Sequence, residues 1–267
     1  MTKIFSLVFD YNITKMQQTG RPWANVAYKN KDFIFEYSAA SIATFLYHNP
    51  HLEYEVMTDD VNLLSEKISH YKVSTKNLIL QDSTDLIREW SSHWYCFWPL
   101  ISVFDYHVNK DDDLVLKLDN DLTCLKPIDD MLNHDGAIVW KYERICSQGK
   151  DRWGEKLAAK SAFGTDEFKI WNTGVWGLSK KFQTLSKEIP RLCEQLISVD
   201  ISSVSSFPES PNVVSKTYNT SDQVSNCYFL HKNQIPVLES NRWFNHHCYS
   251  HDAKKDCISH ASFLLKS

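Results

Sequence analysis

Hydrophobic and polar positions switch between strand-like and helix-like periods along the first half of the chain. Ile4-Phe5-Ser6-Leu7-Val8-Phe9 is a short apolar run closed by Asp10-Tyr11-Asn12, which predicts a first strand with a polar end. A loop carrying Gly20, Pro22 and Trp23 follows. Phe35, Ala39, Ile42, Ala43, Phe45 and Leu46 then recur at helical spacing and predict a helix over 33–48, stopped by Asn49-Pro50. A second strand is expected over 52–57, and its end, Thr58-Asp59-Asp60, supplies a cap for a helix over 61–71. A short strand over 73–80 and a long aromatic helix over 84–104, with Pro99 inside it, lead to Leu114-Val115-Leu116-Lys117-Leu118-Asp119-Asn120-Asp121. That run suits a mostly buried strand, launched by the acidic turn Asp111-Asp112-Asp113 and ending in two carboxylates. The β-α-β-α-β-α-β alternation predicts an α/β fold, a mostly parallel sheet with helices on both faces.

The second half is less regular. Residues 122–132 read as a turn and short helix, 137–140 as a strand, and the polar stretch 141–169, with Gly149 and Gly154, as a loop or lid. A strand with a tight bend is expected over 168–178, where Trp171-Asn172-Thr173-Gly174-Val175-Trp176-Gly177 places glycines inside an apolar run. A helix over 181–197 follows. Residues 198–221 are rich in Ser, Pro and Asn, but apolar patterning resumes directly afterwards, so they read as an excursion within one domain.

Bulk composition narrows the classes. The chain has 267 residues, 43% hydrophobic and 23% charged, as in ordinary globular proteins. A net charge of -4 gives no global basic field, so nucleic acid is not expected as a main partner. Nine Trp hint at sugar-stacking surfaces, although core filling accounts for most aromatics. Seven Cys, scattered and odd in number, and a Met-Thr-Lys start without a secretory pattern predict a reducing compartment, the cytoplasm, including that of a host if the chain is viral. The triplets Asn12-Ile13-Thr14 and Asn219-Thr220-Ser221 would then stay unglycosylated. No apolar stretch approaches the roughly 20 residues that span a bilayer, which leaves peripheral membrane contact open.

Four groups of residues carry candidate chemistry. Asp119 and Asp121, at the carboxyl end of a buried strand, stand where open α/β sheets bind ligands, and their oxygens suit one hard divalent cation with positions left for phosphate. Asn172-Thr173-Gly174-Val175 permits close backbone approach to a ligand, or is simply a bulge. Asp222 and Gln223, with Asn226, stand at an expected helix start, where Asp222 also serves as an ordinary cap. His260 and, six residues on, Lys266 offer an imidazole ligand for a metal such as Mn²⁺ and an ammonium for a diphosphate.

In that order and spacing, the four groups resemble the GT-A glycosyltransferases, and are most similar to their retaining branch of glycogenin-like and lipooligosaccharide galactosyltransferase-like enzymes. Asp113 to Leu122 looks like that family's Tyr-Leu-Asp-x-Asp strand, and Leu125-Lys126-Pro127-Ile128 also looks familial. The resemblance implies a single GT-A domain, with 1–121 as the nucleotide-sugar half and 122–267 as the acceptor half ending in a metal-ligand tail. It implies Mn²⁺ or Mg²⁺ on Asp119, Asp121 and His260, with Lys266 on the diphosphate. Asn172, Gly174, Asp222 and Gln223 would face the transferred sugar or a carbohydrate acceptor. Phe9, Asp10 and Tyr11 match the base-binding segment, with uracil the usual base. The implied reaction moves a hexosyl or pentosyl group from a nucleoside-diphosphate sugar to a glycan hydroxyl. Asp222 is the candidate base if the reaction inverts; if it retains, which the resemblance favours, Asp222 and Gln223 position substrates. The chain departs from the family pattern at Phe263, Ser267 and Tyr95, where Gly, Pro-Trp and Arg are usual.

Two other classes compete. A sugar nucleotidyltransferase would want a Gly- and Lys/Arg-rich loop after the first strand, where only Gly20-Arg21 is offered. A non-catalytic glycan- or nucleotide-binding module would suit a Cys₂His₂ zinc site made by Cys248, His251, Cys257 and His260, although the loop between the two pairs is short. That zinc site and a catalytic His260 exclude each other.

Overall fold

The computed structural model describes residues 2–10, 31–92, 98–108, 112–148, 155–199 and 221–246. Tyr11, the Gly20-Arg21 loop, His260, Lys266 and the Cys248/His251/Cys257 cluster lie outside the described residues. Strands β1 (Thr2–Val8), β2 (Tyr54–Thr58), β3 (Leu78–Asp82), β4 (Leu114–Leu118), β6 (Ala137–Ile145), β7 (Lys169–Ser179) and β8 (Val237–Glu239) form a seven-stranded sheet ordered β3-β2-β1-β4-β7-β6-β8. β5 (Leu122–Cys124) and β9 (Phe244–His246) make a separate pair. β1 to β4 are mutually parallel, β7 runs antiparallel to both β4 and β6, and β8 is parallel to β6. The predicted mostly parallel α/β domain is therefore the observed one.

Helices cover both faces. On one, α1 (Lys31–His48) is buried along nearly its whole circumference, as expected of a helix apolar all round. The Phe45 ring meets Tyr54 at 4.5 Å, and the Tyr54 hydroxyl shares a 2.5 Å hydrogen bond with Ser6. The end of α1 also fastens the chain that follows β4: Thr44 Oγ1 accepts the Cys124 N–H at 3.0 Å, and Asn49 Oδ1 accepts the Ile128 N–H at 2.9 Å. Asn49, predicted as a stop signal, thus serves as a buried clamp as well. Helix α2 (Val61–Ser69) is capped by Asp60, as predicted, through the Leu63 N–H at 3.0 Å.

The opposite face is aromatic. Phe5, Lys117 and Trp176 are register neighbours across β1, β4 and β7, and Phe104 packs 6.2 Å from Phe5 and 6.0 Å from Trp176. At the amino edge of this face Lys3 pairs with Glu55, whose other oxygen lies 3.6 Å from the buried His107. Charge there is matched locally.

Four expectations are corrected. The helix expected over 84–104 is not one of them: it is observed as α3 (Thr84–Ser92) and α4 (Trp98–Val108), and residues 93–97 lie outside the described residues. The strand placed over 73–80 begins only at Leu78. The helix over 181–197 breaks at Pro190, which lacks an N–H and is tolerated only in a first turn, into α6 (Lys180–Gln183), a 3₁₀ turn over Leu185–Glu188, and α7 (Ile189–Ser198). The stretch 141–169 is not one loop: 141–145 continue β6, and α5 occupies Glu155–Phe163. β8 pairs with β6 only over residues 137–139, so residues 141–145 form an open edge where polar side chains meet water, which hides the strand from a hydrophobic pattern. Residues 122–124, expected as a turn, form β5. Among the described residues no helix is long and apolar enough to cross a membrane.

Gly136 allows β6 to enter beside β8, because a Cβ there would collide with the Pro236 carbonyl oxygen and lie 2.8 Å from His134 Nε2. The Gly136→Ala variant is expected to lose about 1–3 kcal/mol of stability through overpacking against backbone, measured by urea unfolding; an unchanged midpoint would contradict the packing described.

Candidate active site at the carboxyl edge of the sheet

The parallel strands end on a common edge at Asp10, Asp59, Asp82 and Asp119. Phe9 is buried in the core, so in a base site it can offer only backbone. The Asp10 N–H donates to both Asp59 oxygens, at 3.2 and 3.3 Å. Burial raises the Asp59 pKa above the ordinary carboxylate value, while the Lys31 ammonium, 2.8 Å from Asp60, holds that of Asp60 below it.

β4 carries the two carboxylates past the last backbone rung. The Asp119 N–H donates to the Gly174 carbonyl at 2.7 Å, and Asp119 Oδ1 receives the Lys117 ammonium at 2.7 Å. Lys117 and Asp119 meet because residues two apart share a strand face. The Asp119 side chain is 27% exposed, whereas Asp121 is buried, between β4 and the segment fastened by α1.

β7 approaches from the other side and bulges. Between the pairs Val139 with Trp176 and Lys141 with Asn172, one β6 residue faces three of β7; between Tyr142 with Trp171 and Arg144 with Ile170, β6 carries the extra residue, Glu143. These irregularities turn side chains that a regular ladder would separate toward one another. Asn172 Oδ1 accepts the Gly174 N–H at 2.9 Å, and Asn172 Nδ2 donates to Glu143 Oε1 at 3.2 Å. Glu143 Oε2 accepts Gln223 Nε2 at 3.0 Å and Arg144 Nη1 at 3.1 Å.

Gln223 comes from α8 (Ser221–Lys232) with Asp222 in the first turn. Asp222 keeps part of its surface accessible, yet burial of its carboxyl raises its pKa, against the Lys117 ammonium and its own and the Gln223 N–H groups, which lower it; Asp119 raises it further. Lys117 thus stands between Asp119 and Asp222. Behind them lies a water-sized cavity of about 20 Å³ lined by Lys117, Trp176, Asp222, Asn226 and residues of α4 and α7.

The structure brings Asp119, Asp121, Asn172, Gly174, Asp222 and Gln223 to one edge. His260, Lys266 and Tyr11 lie outside the described residues. Two residues at the centre, Lys117 and Glu143, were not singled out from the sequence. Lys117 has a signal, a lone charge inside an apolar strand two residues before Asp119; Glu143 was hidden by the apparent loop.

No protein-family model and no curated protein matches the chain. Solved structures do. The galactosyltransferase LgtC, in complex with donor and acceptor sugar analogues, aligns over 100% of this chain and 95% of its own at a TM-score of 0.53 and 10% identity. The chain has the GT-A fold. Mouse xyloside xylosyltransferase 1 aligns at 0.48 and 9% identity over 89% of this chain and 85% of its own. The glycosyltransferase GlyE of Streptococcus pneumoniae TIGR4 aligns at 0.45 and 18% identity over 100% of this chain and 51% of its own.

The sign of the Asp222 shift fixes a pH effect. A pKa raised in the folded state means that stability is present at low pH and is lost as pH rises through the raised value. Asp222→Asn removes that loss and leaves Lys117 paired with Asp119. The variant's melting temperature, relative to the parent, is expected to climb between pH 4 and pH 8; a flat or falling difference in a melting series would contradict the buried-carboxyl environment.

Proposed function

We infer that the chain transfers a sugar from a nucleoside-diphosphate sugar, with UDP the expected carrier, to a hydroxyl of a carbohydrate acceptor. The observation that carries this reading is the continuous hydrogen-bonded chain from Asp119 through Gly174, Asn172 and Glu143 to Gln223 at the carboxyl edge of a GT-A sheet. Such an edge presents carboxylates on one side and amides on the other, the chemistry needed for a diphosphate-bound cation beside a polyhydroxyl ring.

The donor set fits a hard cation. Asp119 and Asp121 supply oxygen only, which suits Mn²⁺ or Mg²⁺ better than a soft metal. Among the described residues no three His, Cys, Asp or Glu side chains group as a metal site, so a third ligand would come from elsewhere in the chain. His260, which the resemblance implies for that part, lies outside the described residues; β9 runs antiparallel to β5 with His246 opposite Leu122. When bound, the cation supplies positive charge at the departing diphosphate, and Lys266 would add to it. Asp222 and Gln223 orient the acceptor hydroxyl. As that oxygen bonds to the anomeric carbon and the bond to the diphosphate breaks, its proton passes to Asp222 in an inverting transfer, or to the leaving diphosphate oxygen in a retaining one.

Calorimetric titration with UDP, with and without Mn²⁺, tests the reading. Binding is expected only with metal, and Asp121→Ala should weaken it by at least about tenfold, the size of one charged contact. Binding that is equal without metal, or intact in the variant, would contradict it.

A further inference from the structure

Glu143 is a link in the hydrogen-bonded chain above without a chemical role of its own in the transfer, and it is where β6, β7 and α8 meet. A carboxylate can only accept hydrogen bonds, so both amides that touch it must do so through their NH₂ groups. Asn172 Nδ2 lies 3.2 Å from Oε1 and Gln223 Nε2 lies 3.0 Å from Oε2. The Asn172 assignment is checked independently, because its Oδ1 accepts the Gly174 N–H at 2.9 Å and would repel that group if the amide were reversed. The Gln223 carbonyl is accordingly turned away from Glu143. Arg144 Nη1 also donates to Oε2, at 3.1 Å.

We propose that Glu143 is a positioning residue that fixes the polarity of the Asn172 and Gln223 amides, so that this part of the site offers carbonyl acceptors to sugar hydroxyls and disfavours a carboxylated sugar. The inference deepens the glycosyl-transfer reading and rests on it for the identity of the ligand. Each amide spends one N–H on Glu143 and keeps its carbonyl as an acceptor, while a sugar carboxylate placed beside them would meet the Glu143 oxygens as like charge. A neutral hydroxylated ring is complementary to that arrangement, and a uronic acid is not.

Glu143→Gln tests it by keeping size and removing the acceptor-only constraint. In ¹⁵N-labelled full-length protein, the side-chain NH₂ signals of Asn172 and Gln223, assigned by Asn172→Ala and Gln223→Ala, are expected to be dispersed and slow to exchange. In Glu143→Gln at least one should collapse toward the free-amide position while the backbone spectrum is retained. Free-amide signals in the parent protein, or signals unmoved in the variant, would overturn the proposal whether or not the protein turns over. In a hydrolysis and transfer assay, the parent should favour UDP-glucose or UDP-galactose over UDP-glucuronate. The variant should narrow that preference by about tenfold or more, the size of a charge-assisted hydrogen bond, mainly through KM for the sugar nucleotide. An unchanged ratio with active enzyme would overturn the specificity claim. Failure of UDP to bind with Mn²⁺ would instead count against glycosyl transfer itself, so the two failures are distinguishable.

Discussion

The last backbone rung between β4 and β7, from the Asp119 N–H to the Gly174 carbonyl, is the constraint on which the site depends. It fixes where the parallel half of the sheet meets the antiparallel half. On one side it releases Asp119 and Asp121 past the strand end; on the other it holds the bulge that directs Asn172 to Glu143. Side-chain alternation along β4 then places Lys117 on the same face as Asp119, where its ammonium also faces Asp222. A register slip of one residue would send each of these side chains to the opposite face.

The surrounding structure holds that rung from both faces. α1 binds the backbone just after Asp121 through Thr44 and Asn49, so the carboxylate turn is clamped before and after. The aromatic layer of Phe5, Phe104 and Trp176 supports the opposite face beneath Lys117. Polar groups at the edge are tied into mutual hydrogen bonds, as a partly buried site requires.

Much of this was legible in the amino-acid sequence where a pattern has one physical cause. The parallel strands β1, β2 and β4 announce themselves as apolar runs with acidic ends, and Asp60 caps as its position predicts. Asn172-Thr173-Gly174 was read as a bend, and a bulge is what forms there. The sequence is mute where tertiary context overrides periodicity. Lys141 to Ile145 look like a loop because their strand has an open edge, and Glu143 therefore could not be placed opposite Asn172. The break in the helix expected over 181–197 follows from Pro190, whose missing N–H mattered more than the apolar spacing around it. Asp222 was weighed as a helix cap, and its nearness to Lys117 and Asp119 comes only from the packing of α8 on β7.

The central claim is that this edge of the sheet holds a cation-bound nucleoside diphosphate. Anomalous diffraction at the manganese edge, from crystals grown with Mn²⁺ and UDP, tests it most directly. The account predicts one strong peak at roughly 2.0–2.6 Å from carboxylate oxygens of Asp119 and Asp121, the range for hard cations, with diphosphate density beside it. A peak elsewhere, or UDP bound away from these residues, would contradict it.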